Sequence, residues 1–171
     1  MSSARNLRRA ALAAGLSLAL GGCGFSPLYE AHDQLTDPVL ASVAVDQIND
    51  HLGVVLTNHL RDGFDPGGEA AAAYQLHVDL SEESIGLAYR NDGTIAQTQV
   101  NLSGAWTLRR LSDKKIIANG TSLGTTFYDD MPDAYANTTA KDSGEMRAVD
   151  ALADDIHARI TLLLKDAPPA S

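Results

Sequence analysis

The sequence predicts an α+β fold: a mainly antiparallel four-stranded sheet in β-α-β-β-β-α order, with two helices packed on one face. Three observations predict it. Between 74 and 128, apolar and polar side chains alternate in three stretches separated by turn residues, the period of half-buried strands. Apolar residues recur at helical spacing within 46–64 and again within 146–163. A short β-branched run, VLASVAVDQI (39–48), stands before the first of these.

The elements follow in order. SPLYEAHDQLTDP (26–38) has two prolines and no periodicity, and reads as a tether. The run 39–48 is the first strand. In DQINDHLGVVLTNHLRDGF, Ile48, Leu52, Val55, Leu56 and Leu60 share one helical face, with Asp46 and Asp50 early, Arg61 late and Gly63 placed to end the helix. DPGGEAAAA (65–73) is a loop. Tyr74, Leu76, Val78 and Leu80 then alternate with Gln75, His77 and Asp79. RNDGT (90–94) is a hairpin turn, because Asn and Asp-Gly accept the positive φ that tight hairpins need. The next strand sets Ala96, Thr98, Val100, Leu102, Gly104, Trp106 and Leu108 against Gln97, Gln99, Asn101, Ser103 and Thr107. RRLSDKK (109–115) is a second turn and IIANGTSLGTTFY (116–128) a long third strand of the meander. DDMPDAYANTTA (129–140) reads as a polar loop. In the closing helix Met146, Val149, Ala153, Ile156, Ile160 and Leu163 repeat in steps of three and four. One sheet face is left polar and wet, lined by Gln, Asn, Ser and Thr.

The N-terminus has its own logic. Arg5, Arg8 and Arg9 precede an apolar core, residues 10–20, of secretory length and too short to span a bilayer. Leu20-Gly21-Gly22 then leads into Cys23, the only cysteine of the chain. A single thiol forms no internal disulfide and no cysteine-rich metal site. This arrangement is similar to a bacterial lipobox, so 1–22 is expected to be a signal peptide, Cys23 the lipid attachment point and 23–38 the anchor and tether. A single domain is expected at 39–166, with 167–171 a short tail. The mature chain loses three of 13 basic residues and keeps all 22 acids, so its formal charge falls from −9 to −12. Such a charge argues against nucleic acid as partner and against docking of the whole chain on anionic lipid. With Gly24 after the cysteine, the expected location is the cell outer membrane, on its periplasmic side.

No active site, metal or cofactor is expected. GTSLG (120–124) fits the G-x-S-x-G pattern of a hydrolase elbow, but that chemistry needs its serine on a strand-to-helix turn, and Ser122 falls inside an alternating strand. His32, His51, His59, His77 and His157 form no metal-like spacing.

CGFSPLY at the expected mature terminus is similar to the start of LptE, the lipopolysaccharide-assembly lipoprotein family, in its alphaproteobacterial form. YRNDGTIAQTQVNLSGAWTL, ANGTSLGTTFYD and AYANTTAKDSGEMRAVDALADDIHARITLLL resemble the family's hairpin, third meander strand and closing helix. The resemblance implies a non-enzymatic protein that plugs and helps assemble the LptD β-barrel, binds lipopolysaccharide and aids its delivery to the cell surface. It places lipopolysaccharide binding on Arg90, in YRNDG, and Lys141, in TTAKDSG. Arg109, Arg110, Lys114 and Lys115 form a denser basic stretch and a secondary candidate for phosphate or barrel contacts. The acids of DDMPD stand close to Lys141 and would offset part of its pull on phosphate. Two other readings are a lipoprotein of another lipid-transport complex and a membrane-anchored serine hydrolase using Ser122.

Overall fold

The structure is a computed structural model that describes residues 38–165 apart from 66, 67, 69 and 70. The expected signal peptide, Cys23, most of the tether and the C-terminal tail lie outside the described residues. Among the described residues seven elements appear: α1 (Pro38–Ala41), β1 (Val43–Val45), α2 (His51–Phe64), β2 (Tyr74–Tyr89), β3 (Ile95–Arg110), β4 (Ile116–Asp129) and α3 (Ala134–Lys165).

The sheet has the order β1-β2-β3-β4. It is mixed, which corrects the mainly antiparallel sheet expected. β1 pairs with β2 in parallel, Val43 beside Tyr74 and Val45 beside Leu76, whereas β2–β3 and β3–β4 are antiparallel. The cause is topological. A parallel neighbour requires a crossover of a dozen or more residues, and the 14-residue α2 supplies it. The order also gains α1, because the run 39–48 is not one strand. Proline suits the first turn of a helix, and Ser42 closes that turn by donating its hydroxyl to the Val39 carbonyl at 2.7 Å. Three residues remain for β1.

α2 starts after Asp50, whose carboxylate accepts the Gly53 amide at 3.0 Å as an N-cap. It runs through Gly63 and buries Leu52, Leu56, Leu60 and Phe64. α3 starts earlier than expected. Asp133 caps it by accepting the Ala136 amide at 2.9 Å, so 134–140 is helix and only the residues before it form a loop. Thr138 and Thr139 return their hydroxyls to the carbonyls of Ala134 and Tyr135. That makes a polar, β-branched stretch compatible with a helix. The buried stripe of α3 is Ala148, Val149, Leu152, Ala153, Ile156, Ile160 and Leu164, while Leu163 is exposed.

Both helices cover one sheet face, as expected. The core joins Tyr74, Leu76, Val78, Val100, Leu102, Trp106 and Leu108 to the apolar faces of α2 and α3. His59 of α2 meets Asp150 of α3 at 3.1 Å. His157 approaches the Gly63 carbonyl at 3.1 Å and its ring lies 5.0 Å from that of Phe64.

β4 alternates with small residues inward and large apolar ones outward over 120–127. Its inward residues are Gly120, Ser122, Gly124 and Thr126, and its large apolar ones, Leu123 and Phe127, point away from the helices with 63% and 46% exposure. Between 120 and 124 the inward positions must be small, whereas Tyr128 further along packs inward against Gly144 of α3. The indole of Trp106 lies over Gly120, where an added Cβ would meet Cζ2 at 2.6 Å. At Gly124 an added Cβ would lie 2.9 Å from both the amide nitrogen and Cβ of Leu152, and would overlap the Ala148 carbonyl oxygen. α3 therefore rests on the backbone of β4.

Candidate functional site

The GTSLG motif is explained by packing. Ser122 is 1% exposed and accepts the Trp106 indole N–H at 3.1 Å. It also hydrogen-bonds Asp155, whose carboxyl is held below the usual range first by the 2.8 Å hydrogen bond from Arg159 and further by Ser122. His157 is engaged at Gly63 and does not serve Ser122. A serine buried in mid-strand, with no histidine beside it and its hydroxyl tied to Trp106 and Asp155, has no nucleophilic role, which removes the hydrolase reading. Because the Asp155 pKa is lowered on folding, its stabilising effect is present above the ordinary carboxylate pKa and is lost as pH falls through the folded value. Asp155→Asn is therefore expected to flatten the fall in Tm below about pH 4. Melting curves from acid to neutral pH test this, and an unchanged acid limb would count against it.

Arg90 sits at the β2–β3 turn, whose shape depends on Asp92: its carboxylate accepts the Thr94 amide at 3.0 Å and the Thr94 hydroxyl at 2.7 Å. These bonds, the backbone one first, hold the Asp92 carboxyl below its usual range. The Arg90 guanidinium donates to the carbonyls of Ile95 and Asp130 and to the Thr94 hydroxyl. It thereby clips the hairpin to the chain that leaves β4. All three of these bonds are made by Nη1 and Nη2.

Lys141 lies on α3 and pairs with Glu145 at 3.3 Å. The Glu145 side chain is only 9% exposed, and its hydrogen bond raises the Lys141 pKa. The sign is that of a cation gaining a partner: the stabilisation is complete below the ordinary lysine pKa and disappears as pH rises through the folded value. Both candidate cations sit toward the end of the sheet that holds the β2–β3 turn, since Arg90 reaches Asp130 and Lys141 senses Glu82 and Tyr128. Arg109, Arg110, Lys114 and Lys115 occupy the opposite turn, so the structure separates them from Arg90 and Lys141.

The sheet face away from the helices carries Gln75, His77, Gln99, Asn101, Ser103, Thr107 and Thr125. Its polar groups are partly paired among themselves: Gln99 donates to Asn101 at 2.7 Å and Thr125 to Asn101 at 3.1 Å. This face is not wholly polar. One row reads Ile85–Gln99–Phe127 and another Ser81–Ser103–Leu123, with Ile85 41% exposed. Sequence reasoning missed these outward apolar residues because it laid out the two faces only for 74–80 and 96–108 and left 81–89 and 116–128 without an assigned face. Among the described residues there is no metal-ligand group and no helix long and apolar enough to cross a membrane.

The family model for LptE, described as lipopolysaccharide-assembly, matches residues 40–160, the whole sheet and most of α3. The chain belongs to the LptE family. It is thus a non-enzymatic lipopolysaccharide-assembly protein. No curated protein matches the sequence. Among solved structures, the fold of this chain is shared with a putative lipoprotein from Caulobacter crescentus CB15, at TM-score 0.66 and 20% identity over 77% of this chain and 97% of that one. A minor lipoprotein from Acinetobacter baumannii follows at TM-score 0.56 and 16% identity, covering 72% and 94%. The rare lipoprotein B of Shewanella oneidensis gives 0.50 and 16%, covering 71% and 96%. At these identities the likeness concerns the fold.

Proposed function

We propose that this LptE-family chain is an outer-membrane lipoprotein, acylated at Cys23, that plugs and helps assemble an LptD-like β-barrel and binds lipopolysaccharide on its way to the cell surface. The observation that carries the plug reading is the open sheet face. Barrel lumens are polar, and this face offers hydrogen-bonding side chains with three outward anchors, Ile85, Leu123 and Phe127. Apolar residues set in a polar surface mark contact sites.

Lipopolysaccharide phosphates are assigned to Arg90 and Lys141. A guanidinium can engage a phosphate bidentately through donors its backbone contacts leave over, while Lys141 contributes a point charge partly neutralised by Glu145.

The test is extraction of the native membrane in mild detergent and capture on a C-terminal tag. A one-to-one complex with a large β-barrel is expected. Leu123→Ser with Phe127→Ser should leave Tm nearly unchanged and weaken barrel capture about 30-fold. A lipidated monomer without a barrel would sink the plug reading and favour another lipid-transport complex. For the ligand, Arg90→Gln and Lys141→Gln should each lower lipopolysaccharide affinity about tenfold. Neutral replacements are preferred, because a reversal at Lys141 would face the buried Glu145.

A further inference from the structure

We infer that the β3–β4 turn rests on the phosphate surface of the membrane that holds the anchor. The inference rests on the acylation of Cys23 proposed above.

The turn reads RRLSDKKI, and its geometry is fixed. Arg110 donates its amide to the Lys115 carbonyl, and Leu111 donates to the Ala73 carbonyl, each at 2.9 Å. Of its four cations only Arg110 is ion-paired among the described residues, to Asp113 at 3.5 Å. Arg109, Lys114 and Lys115 are exposed, and Lys114 is held outward in the left-handed region at φ 58°. Asp46, which shares a surface depression with Arg109, is already engaged by Gln75 at 2.8 Å and His77 at 3.1 Å. Leu111 and Ile116 flank the cations with 40% and 50% exposure. Cations around exposed apolar side chains make an interfacial pattern: the charges meet phosphate and the apolar groups enter the headgroup region.

The position within the fold selects the membrane as partner. Val43, Tyr74 and Arg110 share one row, so this turn lies at the end of the sheet where the chain enters the domain. Fifteen Cα-to-Cα steps lead from Cys23 to Pro38, a reach of about 50 Å fully extended. The 16-residue strands span a similar ~53 Å. The opposite end, which carries Asp92, Asp129, Asp130 and Asp133 beside Arg90, lies a full strand length further from the point where the chain enters the domain. The net negative charge of the chain thus conceals a basic end facing the lipid.

Acylation consumes the only native thiol, so Ser112→Cys gives the full-length lipoprotein one site for a fluorophore, and Asn91→Cys marks the opposite turn. Each is reconstituted into vesicles of brominated phosphatidylglycerol and phosphatidylcholine in equal parts. Quenching is expected at 112 and not at 91. Each cation near an anionic surface raises occupancy roughly five-fold, so Arg109→Gln/Lys114→Asn/Lys115→Gln should lower the surface-bound state roughly 100-fold. Pure phosphatidylcholine or high salt should act likewise. Equal quenching at both turns, or quenching indifferent to the triple variant, overturns the inference while leaving the anchor intact. A free thiol at Cys23 with no vesicle association overturns the anchor, and the inference with it.

Discussion

Gly124→Ala is expected to lower stability by about 3 kcal/mol and Tm by roughly 10 °C, although it adds a single methyl to a strand. The obstacle is backbone. The new Cβ would meet the Leu152 amide nitrogen at 2.9 Å and overlap the Ala148 carbonyl oxygen, and neither can rotate away as a side chain could. Either α3 lifts from β4 or β4 bends from β3. In both cases the contacts of Ala148 and Leu152, each fully buried, are loosened. Thr125→Ala, at the exposed neighbouring position, should stay within about 0.5 kcal/mol. Chemical denaturation of both variants checks the pair. Similar values for the two would mean that helix and strand are not packed at backbone distance.

Trp106→Ala should cost more, about 4 kcal/mol. The indole is 4% exposed, fills the space above Gly120 and donates to Ser122. Its removal leaves a cavity bounded by a glycine that cannot fill it, and deprives a buried hydroxyl of a partner. Trp106→Phe separates the two effects. It keeps most of the packing and loses only the donor, so about 1–2 kcal/mol is expected. Urea unfolding gives both numbers. If Phe proved as damaging as Ala, the hydrogen bond to Ser122 would dominate; if Ala cost under about 1 kcal/mol, the core would be centred elsewhere.

These two residues also show how a hydrolase-like signature arises without hydrolysis. Gly120, Ser122 and Gly124 are spaced by two because every second residue of β4 faces the helices. Smallness at those positions admits Trp106 and α3. The same spacing serves a nucleophile elbow only where the strand ends in a sharp turn, and β4 continues to Asp129.

The candidate site was legible in part. Arg90 and Lys141 came from resemblance, and the fold sets both toward the same end of the sheet. Their partners were not legible. That Arg90 clips Asp130, forty residues away in sequence, depends on where β4 ends beside the hairpin. That Lys141 neutralises Glu145 follows once 134–165 is one helix, which places them four apart on one face.

The sequence by itself determined the elements whose signals are local. Alternation placed β2, β3 and β4, Asn-Asp-Gly placed the turn at 90–94, and three-four periodicity placed α2 and most of α3, because side-chain direction follows from the backbone period alone. Family membership was equally a property of the sequence. The tertiary structure alone decided the direction of β1, the start of α3 and the inversion of β4. β1 runs parallel because α2 returns the chain to the end where it entered, a consequence of connection rather than of residues 43–45. α3 begins at Ala134 because Asp133 caps it and the threonine hydroxyls find carbonyls one turn back. Leu123 and Phe127 face outward although hydrophobicity favours burial, because the space beneath β4 is occupied by a helix backbone that only glycine and small side chains can meet.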